Sequence, residues 1–422
     1  MTESTDMAFL RKNNFWLGVG LVIALAGSQG LAQSQLDMER ALEMYVDRNP
    51  ALQAAREQIE MARGRLDQAG LWPNPTFSYS QEGYPFGQPG ASFSQDQEYL
   101  FLAGQLFELG GKRGYRREVA RLDLDASQLK IENVIRLGKA HLKHLFLLAY
   151  YEQRKGDIAQ ELFSTYETLR EIHQVRLAAG DVSGLSQLKI EAEVLRYVTA
   201  VTRAQTEFTR AWNELAALLV WLPQAPPQLE VSDAGDGVEE SLEELQQLAL
   251  QSRPDLAAQR VEVRKSQADV TLQKAGKIPD LTVGGGYKQD FGQDTYYLGV
   301  ELPLPFFNRN QGRIGEKAAE ARRSQNLLTW QELQVMREVE STFRNFMTHR
   351  QNVVRIQDTV IDQVNQVASI TRQSYLEGEA SLLDYLDALR VQLDTSIDYY
   401  ELLHQTKRSF VDLETAVGGN LN

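Results

Sequence analysis

The sequence contains no cysteine among its 422 residues. That excludes thiolate zinc sites, iron–sulfur clusters, cysteine nucleophiles and disulfide staples in one step. It leaves the redox compartment open. Positive charge is scarce as well: 44 basic side chains face 57 acidic ones, a net charge of −13. Nucleic-acid binding draws on Lys and Arg to displace counterions from phosphates, so this balance argues against it. Long apolar runs are also missing. Outside the N-terminus the best, Leu215 to Leu222, stops at Pro223, well short of the ~20 residues a membrane-spanning helix needs. What is present is 43% hydrophobic and 24% charged residues, the composition of an ordered protein with a sizeable core. Length alone, at roughly 150 residues per domain, suggests about three domains.

Arg11 and Lys12 precede an apolar stretch from Phe15 to about Ala26, followed by Gly30-Leu31-Ala32-Gln33. This is the order of regions in a secretory signal peptide, with the cut expected after Ala32. An anchoring first helix is the other reading, but roughly 12 apolar residues are too few to span a bilayer. Removing residues 1–32 takes two acidic and two basic residues, so the exported chain still carries −13, and no cysteine follows to accept a lipid anchor. The exported protein is expected to be either soluble outside the cytoplasm or inserted as a β-barrel.

The chain is written twice. Asn49-Pro50-Ala51-Leu52 is echoed by Arg253-Pro254-Asp255-Leu256 at an offset of 204, with Ala54 and Arg56 echoed by Ala258 and Arg260. Pro73 and Thr76 return as Pro279 and Thr282 at 206, and Gly114 and Ala120 as Gly312 and Ala318 at 198. The same 198 carries Gly180, Ser183, Leu185 and Leu188 onto Gly378, Ser381, Leu383 and Leu386. An ordered series at a nearly constant offset indicates duplication. The fall from 206 to 198 lies where the first half has the Gly/Pro-rich stretch Gly83–Asp96 and the second only about Gln289–Asp294. A loop of variable length between two strands accounts for it.

Outside the two Gly/Pro zones the composition is helical, rich in Ala, Leu, Glu, Gln and Arg. From Gly312 to about Leu376, positions Ile314, Ala318, Ala321, Leu328, Val335, Val339, Phe346 and Val353 follow a four-three heptad spacing. A helix of roughly 60 residues would be about 90 Å long. Gly138 and Gly156 interrupt the first-half counterpart, predicting a bend or break there. Between the helices lie four segments with strand character, roughly Asn74–Glu82, Gln97–Phe107, Asp280–Gln289 and Asp294–Pro303. Phe77 and Tyr79 alternate with Thr76, Ser78 and Ser80; Leu281, Val283 and Tyr287 with Thr282, Gly284 and Lys288; Tyr296, Leu298, Val300 and Leu302 with Tyr297, Gly299 and Glu301. Each approaches the ~9–11 residues of a tilted membrane strand. A sheet packed on helices in a soluble α+β protein is the alternative. Four strands cannot close a barrel, and lipid tolerates no open edge. Two copies would give about eight strands around a filled interior, three about twelve around a lumen, so a homotrimeric duct is favoured.

Leu71-Trp72-Pro73-Asn74-Pro75 entering the first strand, and Glu108-Leu109-Gly110-Gly111-Lys112-Arg113 leaving the second, resemble the outer membrane efflux proteins of the TolC family, in particular the CzcC-like heavy-metal efflux branch. The similarity runs from about Leu36 to Gly418. It implies a mainly α fold with a membrane β-barrel: a duplicated helix-hairpin-long-helix repeat whose four strands per chain contribute to a trimeric twelve-stranded barrel, continued by a long periplasmic α-helical barrel. The expected organisation is a signal peptide at 1–32, a first repeat at 33–222, a linker at 223–240, a second repeat at 241–418 and a tail at 419–422. The resemblance implies a homotrimer in the outer membrane lipid of a Gram-negative bacterium, extending into the periplasm. It also implies docking onto a periplasmic adaptor (membrane fusion) protein and an inner-membrane RND-type pump that supplies the energy. The implied function is passive exit, with divalent heavy-metal cations as cargo; a duct for drugs or type I protein secretion, and a periplasmic coiled-coil scaffold without a pore, are the alternatives.

The resemblance also implies site residues. Asp384 and Asp387 match the family's Asp-x-x-Asp pattern at the periplasmic entrance, where three copies would present six carboxylates. Convergent carboxylates attract cations and raise one another's pKa; the bland reading is a solvated helix face. Tyr375 matches a tyrosine that helps hold the closed entrance, and Ala380 stands where some relatives carry an arginine partner, so a different contact is expected to hold this gate. The turns Ala179-Gly180-Asp181-Val182-Ser183 and Glu377-Gly378-Glu379-Ala380-Ser381 are equivalent. Glycine there permits the left-handed helix end and serine caps the next helix; the turns' place at the tunnel tip makes Gly180, Asp181, Ser183, Gly378, Glu379 and Ser381 candidates for adaptor contact. Gly110-Gly111-Lys112-Arg113 is not a phosphate loop, since Leu106 stands where the earlier glycine belongs and Arg follows the Lys. It reads instead as a strand-to-helix turn near the membrane surface. His141 and His144 share a helix face, but with five histidines in all they read as solvated. No nucleophile, base and orienting acid converge, so neither an enzyme, a cofactor nor a resident metal site is expected.

Overall fold

The computed structural model describes residues 35–83, 97–231, 237–290, 292–357 and 360–421. The expected signal peptide and most of the Gly83–Asp96 stretch lie outside the described residues.

The first half opens with β1 (Gln35–Asp37) and α1 (Met38–Arg48), capped by Asp37, whose carboxylate accepts from Arg40 N at 2.7 Å. Asn49 ends α1 and caps α2 (Pro50–Ala69), accepting from Ala51 N at 2.9 Å. Pro50 is at home in the first turn because it has no N–H to leave unpaired. After α2 come the strands β2 (Thr76–Glu82) and β3 (Glu98–Phe107), then α3 (Lys112–Ala178), α4 (Gly184–Leu219) and β4 (Gln228–Glu230), which pairs in parallel with β1. The second half repeats the order as α5 (Leu242–Ser252), α6 (Pro254–Ala275), β5 (Leu281–Asp290), β6 (Gln293–Glu301), α7 (Gln311–Gln357), α8 (Val360–Glu377) and α9 (Leu382–Val417).

The duplication extends to the joints. Asn49 Nδ2 donates to Leu218 O at 2.9 Å, and Arg253 Nη1, at the matching α5–α6 joint, donates to Ala416 O at 3.0 Å. Leu218 and Ala416 are themselves 198 residues apart, so each half ties its helical elbow to the same place on its last helix. The first half does this with a neutral amide and the second with a buried guanidinium. A buried charge needs partners, and Arg253 has Asp255 at 2.8 Å and Glu338 at 2.6 Å.

The four longer strands form one antiparallel sheet in the order β2-β3-β5-β6, with β2 and β6 as edges unpaired within the chain. Tyr79, Phe101, Tyr287 and Tyr296 are successive cross-strand partners. Their ring centroids follow one another at 5.0, 6.3 and 5.9 Å, an aromatic row crossing the whole sheet on one face. The other face carries Thr76, Ser78, Ser80 and the glycines 104, 284 and 286, with Lys288 paired to Glu98 at 2.9 Å. Gly286 is required by close approach, since a Cβ there would lie 2.2 Å from Phe101 O.

α3 is one continuous helix of 67 residues, about 100 Å at 1.5 Å per residue. The helix does not break at Gly138 or Gly156. Gly138 serves a contact instead: a Cβ there would lie 1.9 Å from the Tyr45 hydroxyl oxygen, so the missing side chain lets α1 lie against α3. In the second half, residues 358–359 between α7 and α8 lie outside the described set. Val335, Val339, Phe346 and Val353 of the heptad seam are buried, the first three packing with Leu245, Leu256 and Leu413. Each such side chain contributes about 1.5–3 kcal/mol. A second core, around Phe146, Leu215 and Trp212, joins α1, α3 and α4 to the β1–β4 pair. A third lies near the far ends of α3, α4, α8 and α9. Among the described residues no helix is long and apolar enough to cross a membrane.

Candidate functional site at the helix tips

The turns α3–α4 and α8–α9 are built alike. Gly180 (φ 81°) and Gly378 (φ 82°) take the left-handed conformation that ends a helix. Asp181 N donates to Arg176 O at 2.9 Å and Gly180 N to Leu177 O at 3.0 Å; Glu379 N donates to Ser374 O at 2.8 Å and Gly378 N to Tyr375 O at 3.2 Å. Both are Schellman motifs. Ser183 then caps α4, accepting from Ser186 N at 3.2 Å, and Ser381 caps α9, accepting from Asp384 N at 3.3 Å. Gly180, Asp181, Ser183, Gly378, Glu379 and Ser381 are all exposed, as are Leu185 and Leu383 one turn further on.

The aspartates of the Asp-x-x-Asp pattern are exposed but differently engaged. Asp384 closes a reciprocal capping box, its carboxylate accepting from Ser381 Oγ at 2.6 Å and Ser381 N at 3.0 Å. The serine hydroxyl, then its backbone N–H, hold the Asp384 carboxyl below the usual carboxylate range. Within one chain this is the opposite direction to the rise expected from like charges. Asp387 pairs with Arg390, one turn along α9.

Tyr375 is buried rather than presented at a rim. Its hydroxyl meets Nε2 of His173, a side chain only 1% exposed on α3, and its ring stacks on Tyr385 at 5.4 Å. Burial pushes the tyrosine pKa up and the histidine pKa down, the neighbouring Arg176 adding to the latter. His173 Nδ1 is buried with no hydrogen-bond partner. Around the pair, Leu162, Tyr166, Leu169, Ile190 and Val194 of α3 and α4 pack against Leu386, Leu389 and Leu393 of α9. Tyr166 Oη donates to Leu386 O at 3.3 Å. The tip is thus a closed apolar clasp between two helix pairs, with the His173–Tyr375 and Tyr166–Leu386 polar links inside it. Ala380, partly buried, packs on the same cluster and supplies no polar group. His173 was missed in the sequence reading. Its signal was position: it continues the four-three seam Leu162, Tyr166, Leu169, where a polar residue needs a partner.

Other sequence candidates fall elsewhere. Gly110 and Gly111 both have positive φ, and Lys112 binds Asp280 at 2.8 Å at the foot of the sheet. His141 is exposed, but His144 is not simply solvated: α3 runs along α9, and His144 Nε2 lies 2.9 Å from Asp412 Oδ1. Among the described residues no group of three or more His, Asp or Glu is placed to hold a metal ion.

Residues 245–419 match the model of the family described as outer membrane efflux protein. The chain is 25% identical over 390 residues, 92% of its length and 91% of the relative's, to the cobalt-zinc-cadmium resistance protein CzcC of Cupriavidus metallidurans. It is 22% identical over 311 residues, 71% of this chain and 67% of the other, to the nickel-cobalt-cadmium resistance protein NccC of Alcaligenes xylosoxydans. The fold is similar to that of the crystallised channel CusC, with a TM-score of 0.75 over 91% of this chain and 92% of that one at 17% identity.

Proposed function

From the match of residues 245–419 to the outer membrane efflux protein family, we propose that three copies form a passive outer-membrane exit duct, delivering divalent heavy-metal cations to the exterior. The observation that carries the duct is the sheet. Its two unpaired edges cannot stand in lipid, and pairing β6 of one copy with β2 of the next closes twelve strands. Such a barrel is wide enough for a lumen. β3, β5 and β6 have 10, 10 and 9 residues, the ~9–11 a membrane strand needs. The face with the aromatic row turns to lipid, and the Thr, Ser and Gly face to the lumen. The helices continue the tunnel through the periplasm. The protein performs no chemistry; a periplasmic adaptor and an RND-type inner-membrane pump supply cargo and energy.

The adaptor docks on the two glycine turns, where exposed Leu185 and Leu383 offer apolar contact beside Asp181 and Glu379. The entrance is gated by Tyr375, with His173 taking the part that Ala380 cannot. Opening swings α8 and α9 away from α3 and α4, separating the tyrosine from the histidine. Asp384 and Asp387 form the acidic entrance ring. Asp384 stays ionised because its serine cap holds its pKa down, while Arg390 offsets part of the Asp387 charge.

Heavy-metal cargo follows from similarity to two metal-resistance proteins. Deleting the gene tests it. Growth is expected to become sensitive to cobalt, zinc or cadmium, with sensitivity to a drug panel unchanged. Hypersensitivity to drugs with unchanged metal tolerance would assign the duct to organic cargo.

A further inference from the structure

All four strands attach to helices at the same end of the sheet, through connections 70–75, 108–111, 276–280 and 302–310, the second and fourth running directly into the first turns of α3 and α7. In a chain of net charge −13 these connections and the helix starts that follow them are basic. Their two carboxylates are both neutralised: Glu108 by Arg116 at 2.6 Å, and Asp280 by Lys112 at 2.8 Å. Arg113, Lys277, Arg309 and Arg313 remain, with no ion pair among the described residues. Arg113 lies over the exposed ring of Trp72, its guanidinium carbon 4.3 Å from the ring centroid, and the other three are exposed. The same connections expose large apolar side chains: Leu71, Ile278, Leu304, Phe306 and Phe307, the last 94% exposed. Cations and aromatics interleaved on one rim are the pairing that an anionic headgroup above acyl chains satisfies. Lys and Arg meet the phosphate, while aromatic and aliphatic groups reach the hydrocarbon boundary.

We propose that this rim is a docking surface for anionic phospholipid of the periplasmic leaflet, which fixes the depth at which the barrel sits. The proposal rests on the outer-membrane barrel reading, since only a sheet that spans lipid brings its helix end to that leaflet. Three copies present twelve uncompensated cations in a ring. A neutral, zwitterionic bilayer satisfies the aromatics but not these charges, so selectivity for net negative headgroups is the property that separates docking here from ordinary barrel insertion.

The test uses the full-length protein reconstituted into phosphatidylcholine nanodiscs with and without phosphatidylglycerol, followed by native mass spectrometry of retained lipid. The variants are Arg113→Gln, Lys277→Gln, Arg309→Gln and Arg313→Gln, combined. Wild type is expected to retain phosphatidylglycerol preferentially; the combined variant should lose at least about tenfold of that preference, since each cation near an anionic surface adds to the attraction. The variant should still insert into neutral discs as the same oligomer. Insertion with no headgroup preference in wild type overturns the proposal and leaves the barrel standing. Failure to insert into any disc overturns both. Loss of preference on adding inorganic phosphate at unchanged ionic strength makes the rim a free-phosphate site and overturns lipid docking, as does dissociation of the variant into single chains, which would mean that neighbouring copies cover the rim.

Discussion

Replacing Gly138 and Gly156 with alanine applies one substitution at two places in the same helix, and the structure gives the two opposite signs. Alanine in a helix interior is favoured over glycine by ~1 kcal/mol. At Gly156 nothing opposes that gain: the nearest atom to an added Cβ is Ala204 Cβ at 3.9 Å, an ordinary contact. Gly156→Ala should therefore stabilise by about 0.5–1 kcal/mol. At Gly138 the added carbon would meet the Tyr45 hydroxyl at 1.9 Å and ring carbon Cζ at 2.8 Å. Tyr45 is buried beside Leu142 and Phe146 in the α1–α3–α4 core, so the ring cannot swing into solvent and α1 must move. Overpacking costs ~1–3 kcal/mol, and an overlap this deep belongs at the upper end. Gly138→Ala should thus lose about 1–2 kcal/mol net of the helix gain. Adding Tyr45→Phe should recover part of the loss, because the hydroxyl is the nearest atom but not the only close one. Thermal midpoints of the three purified variants, measured in one detergent at one protein concentration, give the ranking. Equal shifts at the two glycines would refute the packing explanation and return Gly138 to the role of a helix breaker.

Stability should also fall with acid through His404, stacked on Tyr151 at 5.2 Å. Burial, with Arg408 and His144 nearby, pushes its pKa down from 6.5 to about 4. The unfolded chain then takes the proton first as pH falls, so stability is complete above pH ~6.5 and is lost on the way down to pH ~4, by about 2–3 kcal/mol after allowance for partial solvent access. His404→Phe should flatten the thermal midpoint against pH over that window; an unchanged slope would assign the acid sensitivity to other groups. At the proposed gate, Tyr375→Phe leaves buried His173 Nε2 without its partner, a loss of ~1–3 kcal/mol. It should raise the open fraction in single-channel records, whereas His173→Phe combined with Tyr375→Phe should bring it back toward wild type. Equal effects of the single and double variants would remove the pair from gating.

The fold was legible where one period dominated. Alternation of Phe77, Tyr79, Leu281, Val283 and Tyr296 with Thr, Ser and Gly announced membrane strands, and the recurring offset announced the duplication. What the sequence could not carry was register: that Tyr79, Phe101, Tyr287 and Tyr296 fall in one row depends on pairing between distant strands. Gly138 misled for the same reason. A glycine within a helical pattern looks identical whether it breaks the helix or admits a neighbour, and the neighbour, Tyr45, comes from another helix. At the tip, Ser381-Leu382-Leu383-Asp384 already carried a capping-box spacing, so the local role of Asp384 was readable. The partner of Tyr375 was not, because nothing local distinguishes His173 from the other four histidines except the apolar seam it continues.

Planar-bilayer recording of the purified protein bears most directly on whether this chain is a duct. Insertion from detergent should give discrete conductance steps of one size, cation-selective and needing no nucleotide, with selectivity reduced by Asp384→Ala together with Asp387→Ala. A protein that leaves the bilayer silent while remaining folded and soluble without detergent would contradict the pore itself.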